Sequence, residues 1–383
     1  MLKICEYSQA QWPDVEPVWR MLAAASPEAS FFLSAEWTRT WLAVFGDSVH
    51  ATALVFRADD RPVAAALIVQ RRVRRAVLPI RQVFLNACGE DTADETCIEF
   101  NDILCLPEWK AGVAEELIAR LNRLDWHELV LAGFVDGPML RAITQAAVWP
   151  VETTQRTSNY VDLAALRASG QPYVSVLRSR TRTYVRENVR IYREAGDLCV
   201  EQPGSVRDAL AWLDELADLH QQSWTGRGQP GVFASKRFFA FHRMLIESAF
   251  DTGNILMLRV SAGTGTIGIL YNFVWRGKVL FYQSGFKYEP ERRTKPGLLT
   301  FALAVQYCAG RGYSEFDFLA GGEHYKRDLS TASRDLFWTK ILRPGVVNQT
   351  LKLISRSKEA ITGSRLVPAV AGLLVSACAT GAA

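Results

Sequence analysis

The 383-residue chain lacks the spacing of a cysteine framework. Its seven cysteines, Cys5, Cys88, Cys97, Cys105, Cys199, Cys308 and Cys378, form no CxxC pair, and the closest two lie eight residues apart. That argues against a disulfide scaffold or a structural zinc site, so no metal is expected and the thiols read as reduced ones in a cytoplasmic protein. An excess of one charge is also missing. Lys and Arg number 44 against 40 acids, and a net +4 does not predict nucleic-acid binding. No apolar run reaches the ~20 residues of a membrane-spanning helix. The tail SRLVPAVAGLLVSACATGAA is interrupted by Pro368 and reads as a loose tail or weak contact surface, without stable membrane insertion. The first residues, MLKICEYSQAQWPDVE, lack the apolar core of a signal peptide. There is no G-x-S-x-G elbow and no cysteine with an obvious histidine partner, which removes the usual covalent nucleophiles.

What is present is a core. Apolar residues make up 49% and charged residues 22%, the balance of a globular protein long enough for two domains. Two segments repeat. FLSAEW (32–37) and FASKRF (233–238) each place a serine where a helix N-cap belongs. Each is followed by an apolar strand ending near an arginine (Arg57, Arg259), a polar turn and a second apolar strand. Matching order at matching spacing predicts two copies of one unit. Further strands are expected at 81–86, 98–104 and 127–132 with a helix at 108–123, then at 278–286 and 313–319 around a helix at 297–311. Hairpins followed by a helical crossover give an α/β (α+β) fold of two lobes. Each lobe is a mixed, mostly antiparallel sheet flanked by helices, and the two join near 150–165. The run 171–197 reads as one long helix with an apolar stripe through Val174, Leu177, Val185, Val189 and Tyr192.

Three constellations carry chemistry. Arg178, Arg182, Arg186 and Arg190 recur every fourth residue, a cationic ridge suited to an anionic partner or to a solvated face. In LADLHQQSWTGRGQPGVF (216–233), His220 continues an apolar stripe and Trp224 begins a glycine-rich loop of the kind that covers sites. In 279–326, a strand leads into a loop with Arg292, Arg293 and Lys295, then Pro296 and Gly297 at a helix start, which together make a ready anion site. A second strand then ends in DFLAGGEHYK.

LHQQSW, YQSGF, KPGLL and DFLAGGEHYK, in that order, resemble the GNAT-like acetyltransferases of CelD type, the cellulose and exopolysaccharide biosynthesis group. That group is similar in turn to the Fem peptidyltransferases, with two GNAT-like lobes in one chain. The resemblance runs from FLSAEW to about residue 343. It implies an N-terminal lobe (1–155), a C-terminal acyltransferase lobe (156–345) and a C-terminal helix and tail (346–383). It further implies an N- or O-acyltransferase that takes acyl-CoA, such as acetyl-CoA, and a small-molecule or glycan-type acceptor. Contact with a polysaccharide synthase complex would follow from the CelD likeness. The usual GNAT phosphate loop is richer in glycine than RRTKPG, where only Gly297 is present, so the four candidate donor residues Arg292, Arg293, Lys295 and Gly297 would rely on charge. A Fem-like use of aminoacyl-tRNA, with the arginine ridge as its support, is one alternative. A non-catalytic scaffold for a polysaccharide synthase is another.

For direct transfer, Asp317 is expected as general base, its carboxyl raised by flanking Phe316 and Phe318. Gln283 would orient the acceptor and Tyr325 would protonate the leaving group, with His324 a weaker choice. Lys326 would hold a phosphate or carboxylate. His220, Trp224 and Tyr282 are the expected substrate-binding residues.

Overall fold

A computed structural model of the chain describes residues 2–75, 78–288 and 294–362, with side chains described through 354. The fold is α/β and falls into two compact units. Among the described residues, the first comprises those up to Arg156 together with 335–362, and the second is Thr157–Arg334. The sequence reading places 335–345 in the second lobe. The chain instead returns to the first unit, because its last strand finds its antiparallel partner there.

The first unit contains β1 (Leu2–Ser8), α1 (Trp12–Ala25), α2 (Ala35–Phe45), β2 (His50–Ala58), β3 (Arg61–Arg75), β4 (Leu78–Leu85), β5 (Leu104–Cys105), α3 (Lys110–Asn122), β6 (Glu128–Val135), α4 (Pro138–Ala147) and the start of β7 (Val151–Asp162). Its sheet runs β1-β2-β3-β4-β6, with β5 on β3. The run VAAALIV in β3 is apolar without alternation because helices cover both faces. An aromatic set that includes Trp19, Trp37 and Trp41 packs on the α1–α2 side, while Val113, Leu117 and Ile143 of α3 and α4 close the other core. The expected strand at 98–104 is largely irregular, and Cys97 and Phe100 adopt left-handed backbone conformations (φ 46° and 49°) that no strand tolerates.

The second unit continues from β7 with α5 (Leu163–Ala168), α6 (Tyr173–Val176), α7 (Ser179–Arg193), β8 (Leu198–Glu201), α8 (Val206–Thr225), α9 (Lys236–Ala249), β9 (Ile255–Ala262), β10 (Gly265–Trp275), β11 (Lys278–Phe286), α10 (Pro296–Gly310), β12 (Glu315–Ala320) and α11 (His324–Leu329). The last elements are β13 (Ala332–Leu342), which crosses back, and α12 (Val346–Thr362) of the first unit. The second sheet runs β7-β12-β11-β10-β9-β8. α10 is apolar almost all round, and it packs between the sheet and α5, α6 and α7. α8 and α9 cover the opposite face. The long helix expected over 171–197 breaks at Leu177, whose backbone is extended (ψ 154°), so α6 and α7 are separate.

The repeat is present in three dimensions. Ser34 accepts the Trp37 N–H at 3.1 Å and caps α2, and Ser235 accepts the Phe238 N–H at 3.0 Å and caps α9. Each cap follows a single 3₁₀ turn and precedes an antiparallel hairpin, β2–β3 or β9–β10. Each unit then has one parallel strand pair of three register positions. In the first unit Gln82, Val83 and Phe84 face Glu128, Leu129 and Val130. In the second, Lys278, Val279 and Leu280 face Glu315, Phe316 and Asp317.

Candidate active site

The parallel pair in the second unit opens into a splay. β11 and β12 are hydrogen-bonded only as far as Leu280 and Asp317. Beyond that point β11 follows β10 to Phe286, and β12 follows β7, where Ala320 faces Ser158. Two irregularities produce the divergence. On β11, Phe281 and Phe286 both enter the core beside α10 although they are an odd number of residues apart, so one residue must leave the alternation. The register shift at Tyr282, where Tyr271 faces Gln283 but Asn272 faces Phe281, supplies it. On β12 the shift lies between Asp317 and Ala320, and Leu319 has φ 59°.

Asp317 sits where the strands part and is fully buried. Its Oδ1 accepts the Ser158 hydroxyl at 2.6 Å and the Leu319 N–H at 2.7 Å. Among the described residues its Oδ2 has no hydrogen-bond partner, and it lies 3.7 Å from Arg334 Nε. Burial pushes the carboxyl up to about 6, against the pull of Arg334 and the Ser158 and Leu319 bonds and with a smaller push from Glu315. The phenyl rings of Phe316 and Phe318 belong to the core on the α10 side. They flank Asp317 in sequence and not in space, since successive strand residues face opposite ways. Arg334 bridges onward, with Nη2 2.5 Å from Glu315 Oε1 and its guanidinium 3.9 Å above the Tyr160 ring.

The other expected residues divide between the two faces. Tyr325 stacks on Phe301 of α10 with centroids 5.4 Å apart, and its hydroxyl pKa is raised by burial, then by Glu323 and Tyr288. It is therefore held protonated on the face opposite Asp317. Gln283 is buried on β11, and its Nε2 has no hydrogen-bond partner among the described residues. His220 stacks on Trp224 (5.6 Å) and meets Phe233 edge-on (5.1 Å), and burial lowers its pKa to about 4, so it is neutral. Tyr282 lies in an aromatic group with Phe238, His242 and Phe273. No hydrogen bond joins Asp317, Gln283 and Tyr325 to one another among the described residues. A reaction centre that uses all three must lie in the gap between the strands.

Two expected roles change. Lys326 is 2% exposed, and its Nζ donates to Ala320 O at 3.0 Å and Leu319 O at 3.4 Å and lies 3.4 Å from Glu323 Oε2. With its donors engaged it ties α11 to the end of β12 instead of reaching a phosphate. Gly297 is explained by packing: a Cβ there would meet the Phe286 ring at 3.2 Å. At the start of α10 the Lys295 N–H donates to Asn188 Oδ1 at 2.6 Å, and Lys295 Nζ lies 4.9 Å from the Tyr184 ring centroid. Arg292 and Arg293 lie outside the described residues.

Sequence reading missed Ser158, Arg334, Tyr184 and Asn188. The first two reach Asp317 only through strand pairing, and nothing local in the sequence signals them. Tyr184 and Asn188 are four residues apart on α7, a spacing that places them on one helical face.

Comparison with known proteins agrees with this geometry. Residues 179–327 match the model of the acetyltransferase (GNAT) domain, a span that contains α8 to α10 and the splayed strands. The solved structure of FemX aligns over 92% of this chain and 99% of its own, with TM-score 0.57 and 9% identity. The C-terminal DUF2156 domain of an Agrobacterium fabrum protein aligns over 94% and 99%, with TM-score 0.54 and 12% identity. L-PGS from Bacillus licheniformis aligns over 92% and 97%, with TM-score 0.52 and 11% identity. At these identities the likeness establishes the fold. Among curated proteins none matches the sequence. Residues 179–327 are thus similar to a GNAT acetyltransferase domain, and the chain shares its overall fold with these solved structures.

Proposed function

We propose that the second unit is an acyltransferase centre that moves an acyl group from a carrier to an amine or hydroxyl. The observation that carries this reading is a difference between the two repeats. The first register position of the parallel pair holds a glutamate in both units, and both are ion-paired: Glu128 with Arg75 at 2.5 Å, Glu315 with Arg334 at 2.5 Å. The third position holds Val130 in the first unit and Asp317 in the second. The shared glutamate is a scaffold element, and the added carboxylate with a raised pKa belongs to chemistry.

In this scheme Asp317, directly or through water, takes the proton from the acceptor as its nitrogen or oxygen attacks the acyl carbonyl. The bond to the carrier breaks, and Tyr325 gives its proton to the departing atom. Gln283 orients the acceptor, with Tyr282, His220 and Trp224 around it. Acyl-CoA fits best as donor. The segment between β11 and α10 contains Lys287, Arg292, Arg293 and Lys295 against two acids, whereas that between β4 and α3 contains seven acids and no cation. A pyrophosphate therefore has a partner only in the second unit. A glycan acceptor in exopolysaccharide or cellulose synthesis rests on the CelD likeness alone.

A second reading, transfer from aminoacyl-tRNA, is favoured by α7, whose Arg180, Arg186 and Arg190 are exposed, as is Arg178 just before it. Thermal-shift titration separates the two. Stabilisation by acetyl-CoA or a longer acyl-CoA supports the first. Salt-dependent tRNA binding lost in Arg186→Glu/Arg190→Glu, with no response to any acyl-CoA, replaces it by the second.

A further inference from the structure

A cation stands beside the proposed base without closing on it. Arg334, near the start of β13, is held from three sides. Its Nη2 lies 2.5 Å from Glu315 Oε1, its guanidinium is 3.9 Å from the Tyr160 ring centroid, and its Nε is 3.7 Å from Asp317 Oδ2. The first is an ion-pair contact, and the last is beyond hydrogen-bond length. Glu315 and Asp317 are two residues apart on β12 and share a face, and Tyr160 of β7 stands opposite Asp317 in the strand register. The backbone leading to Arg334 is fixed as well. The Thr331 N–H donates to Tyr160 O at 3.0 Å, and Thr331 Oγ1 accepts the Asp162 N–H at 3.1 Å. Glu315 and Tyr160 therefore set where the guanidinium lies.

The neighbouring charges are matched elsewhere. Lys278 of β11 reaches the other oxygen of Glu315, Oε2, at 3.6 Å. Asp162, opposite Glu315 in the register, caps α5 by accepting the Ala165 N–H at 2.8 Å. α8 and α9 cover this face and bring His220 and His242, both kept uncharged by burial. Lys326 of α11 lies beyond Leu319, beside Glu323. Burial raises the Asp317 carboxyl, and Arg334 is the largest influence against it, while Glu315 competes for the same cation. Two extremes show what that competition does. An arginine in contact with a carboxylate lowers its pKa by about 1–3 units and occupies the oxygen that would take a proton. A buried carboxylate with no cation near it stays protonated. Either makes a poor base. In the first unit the position equivalent to Asp317 is Val130, and Arg75 closes on Glu128 with two bonds, at 2.5 and 3.1 Å.

We propose that Glu315 and Arg334 are positioning residues for Asp317: the glutamate holds the guanidinium near Oδ2 but out of hydrogen-bond contact, so that Asp317 ionises and still accepts a proton. The proposal rests on the acyltransferase reading for its effect on rate, whereas the titration of Asp317 is read without any substrate. The full chain, isotope-labelled at the aspartate carboxyl carbons, is titrated by NMR, the Asp317 signal being the one absent from Asp317→Asn. Glu315→Gln releases the guanidinium to close on Oδ2, and the Asp317 midpoint should drop by about one pH unit. Arg334→Gln removes the cation, and the midpoint should rise by about one pH unit or more. Arg334→Lys keeps the charge on a smaller head, should move the midpoint less in that same direction, and carries the test if Arg334→Gln does not fold. In an acyl-transfer assay the acid limb of kcat/KM should follow these midpoints, and kcat of Glu315→Gln should fall several-fold because a weaker base takes the proton. Opposed shifts support the proposal even in a chain that transfers no acyl group, a result that removes the acyltransferase reading alone. Midpoints that stay in place, or that move the same way in Glu315→Gln and the Arg334 variants, overturn it whatever the activity.

Discussion

Asp317 Oδ1 accepts the backbone N–H of Leu319, two residues on, at 2.7 Å, and Leu319 lies in the left-handed region at φ 59°. The two facts are one device. A side-chain carboxylate bonded to the N–H two residues later imitates a turn and lets the chain kink without a glycine. A left-handed leucine costs roughly 1–2 kcal/mol, and Leu319 is held there by burial and by the Asp317 bond. The kink takes β12 away from β11 at the residue proposed to do the chemistry.

Replacing Asp317 with Asn separates the two roles. The amide oxygen can still accept from Leu319, so the kink should persist and the melting temperature should move by only a few degrees. The base is gone, and kcat should fall by about 100-fold or more. Steady-state kinetics and a melting curve on the same preparation check this. Near-parental kcat would remove Asp317 from the chemistry and leave it a strand-shaping residue.

The same carboxyl sets a pH dependence. With its pKa raised to about 6, Asp317 is an ionised base only above that value, so the rate should fall as pH drops through about 6. The Ser158 hydroxyl donates to the ionised form and pulls the pKa down. Ser158→Ala should therefore move the acid limb of kcat/KM to higher pH while leaving the plateau standing. An unmoved limb would mean that another group titrates.

What the sequence disclosed followed how local the cause was. Ser34 and Ser235 were readable because a cap joins residues three apart. The hairpins after them were readable because alternation and turn residues lie side by side. The break at Leu177 was not, since no proline or glycine marks it and tertiary packing decides it. The buried run 98–104 looked like a strand because irregular backbone packed in a core is as apolar as one. Asp317 stood out as a lone carboxylate among phenylalanines, but the groups that set its pKa, Ser158 and Arg334, come from other strands. Lys326 read as a free cation because its partners are the carbonyls of Leu319 and Ala320, and carbonyls leave no trace in a sequence.

Two glycines near the splay should differ sharply. A Cβ on Gly285 would overlap the Leu216 carbonyl oxygen and come within 2.9 Å of Leu219 Cβ, so α8 would have to lift from β11. A Cβ on Gly297 would meet the movable Phe286 ring at 3.2 Å. Gly285→Ala should cost about 3 kcal/mol or prevent folding, and Gly297→Ala about 1 kcal/mol. If Gly297→Ala keeps the KM for acyl-CoA, the glycine serves packing. A large rise in KM at unchanged stability would restore its role in holding phosphate.

Lys326→Met tests the latch between α11 and β12. The variant removes the Lys326 donor from Glu323 and from the Ala320 carbonyl in a buried site, at a cost of about 1–3 kcal/mol. KM for the donor should stay within about twofold, because no donor of Lys326 is free for a phosphate. A donor KM raised tenfold or more in a normally stable variant would contradict the latch.

The first unit contributes a stability effect of its own. Glu95 is pushed up to about 8 by burial and by nearby Glu90, against Arg156 and Arg71. Its ordinary value is 4.5, so between about pH 4.5 and 8 the folded state holds a proton that the unfolded chain has lost. Stability must therefore fall as pH rises through that window, and the full loss is reached above about 8. Glu95→Gln keeps the neutral form at every pH. The parent should lose melting temperature between pH 5 and pH 9, and the variant should lose distinctly less, with a residual slope from Glu90, whose pKa burial also raises. Identical slopes would mean that Glu95 is ionised in the folded protein, its charge answered by Arg71 and Arg156.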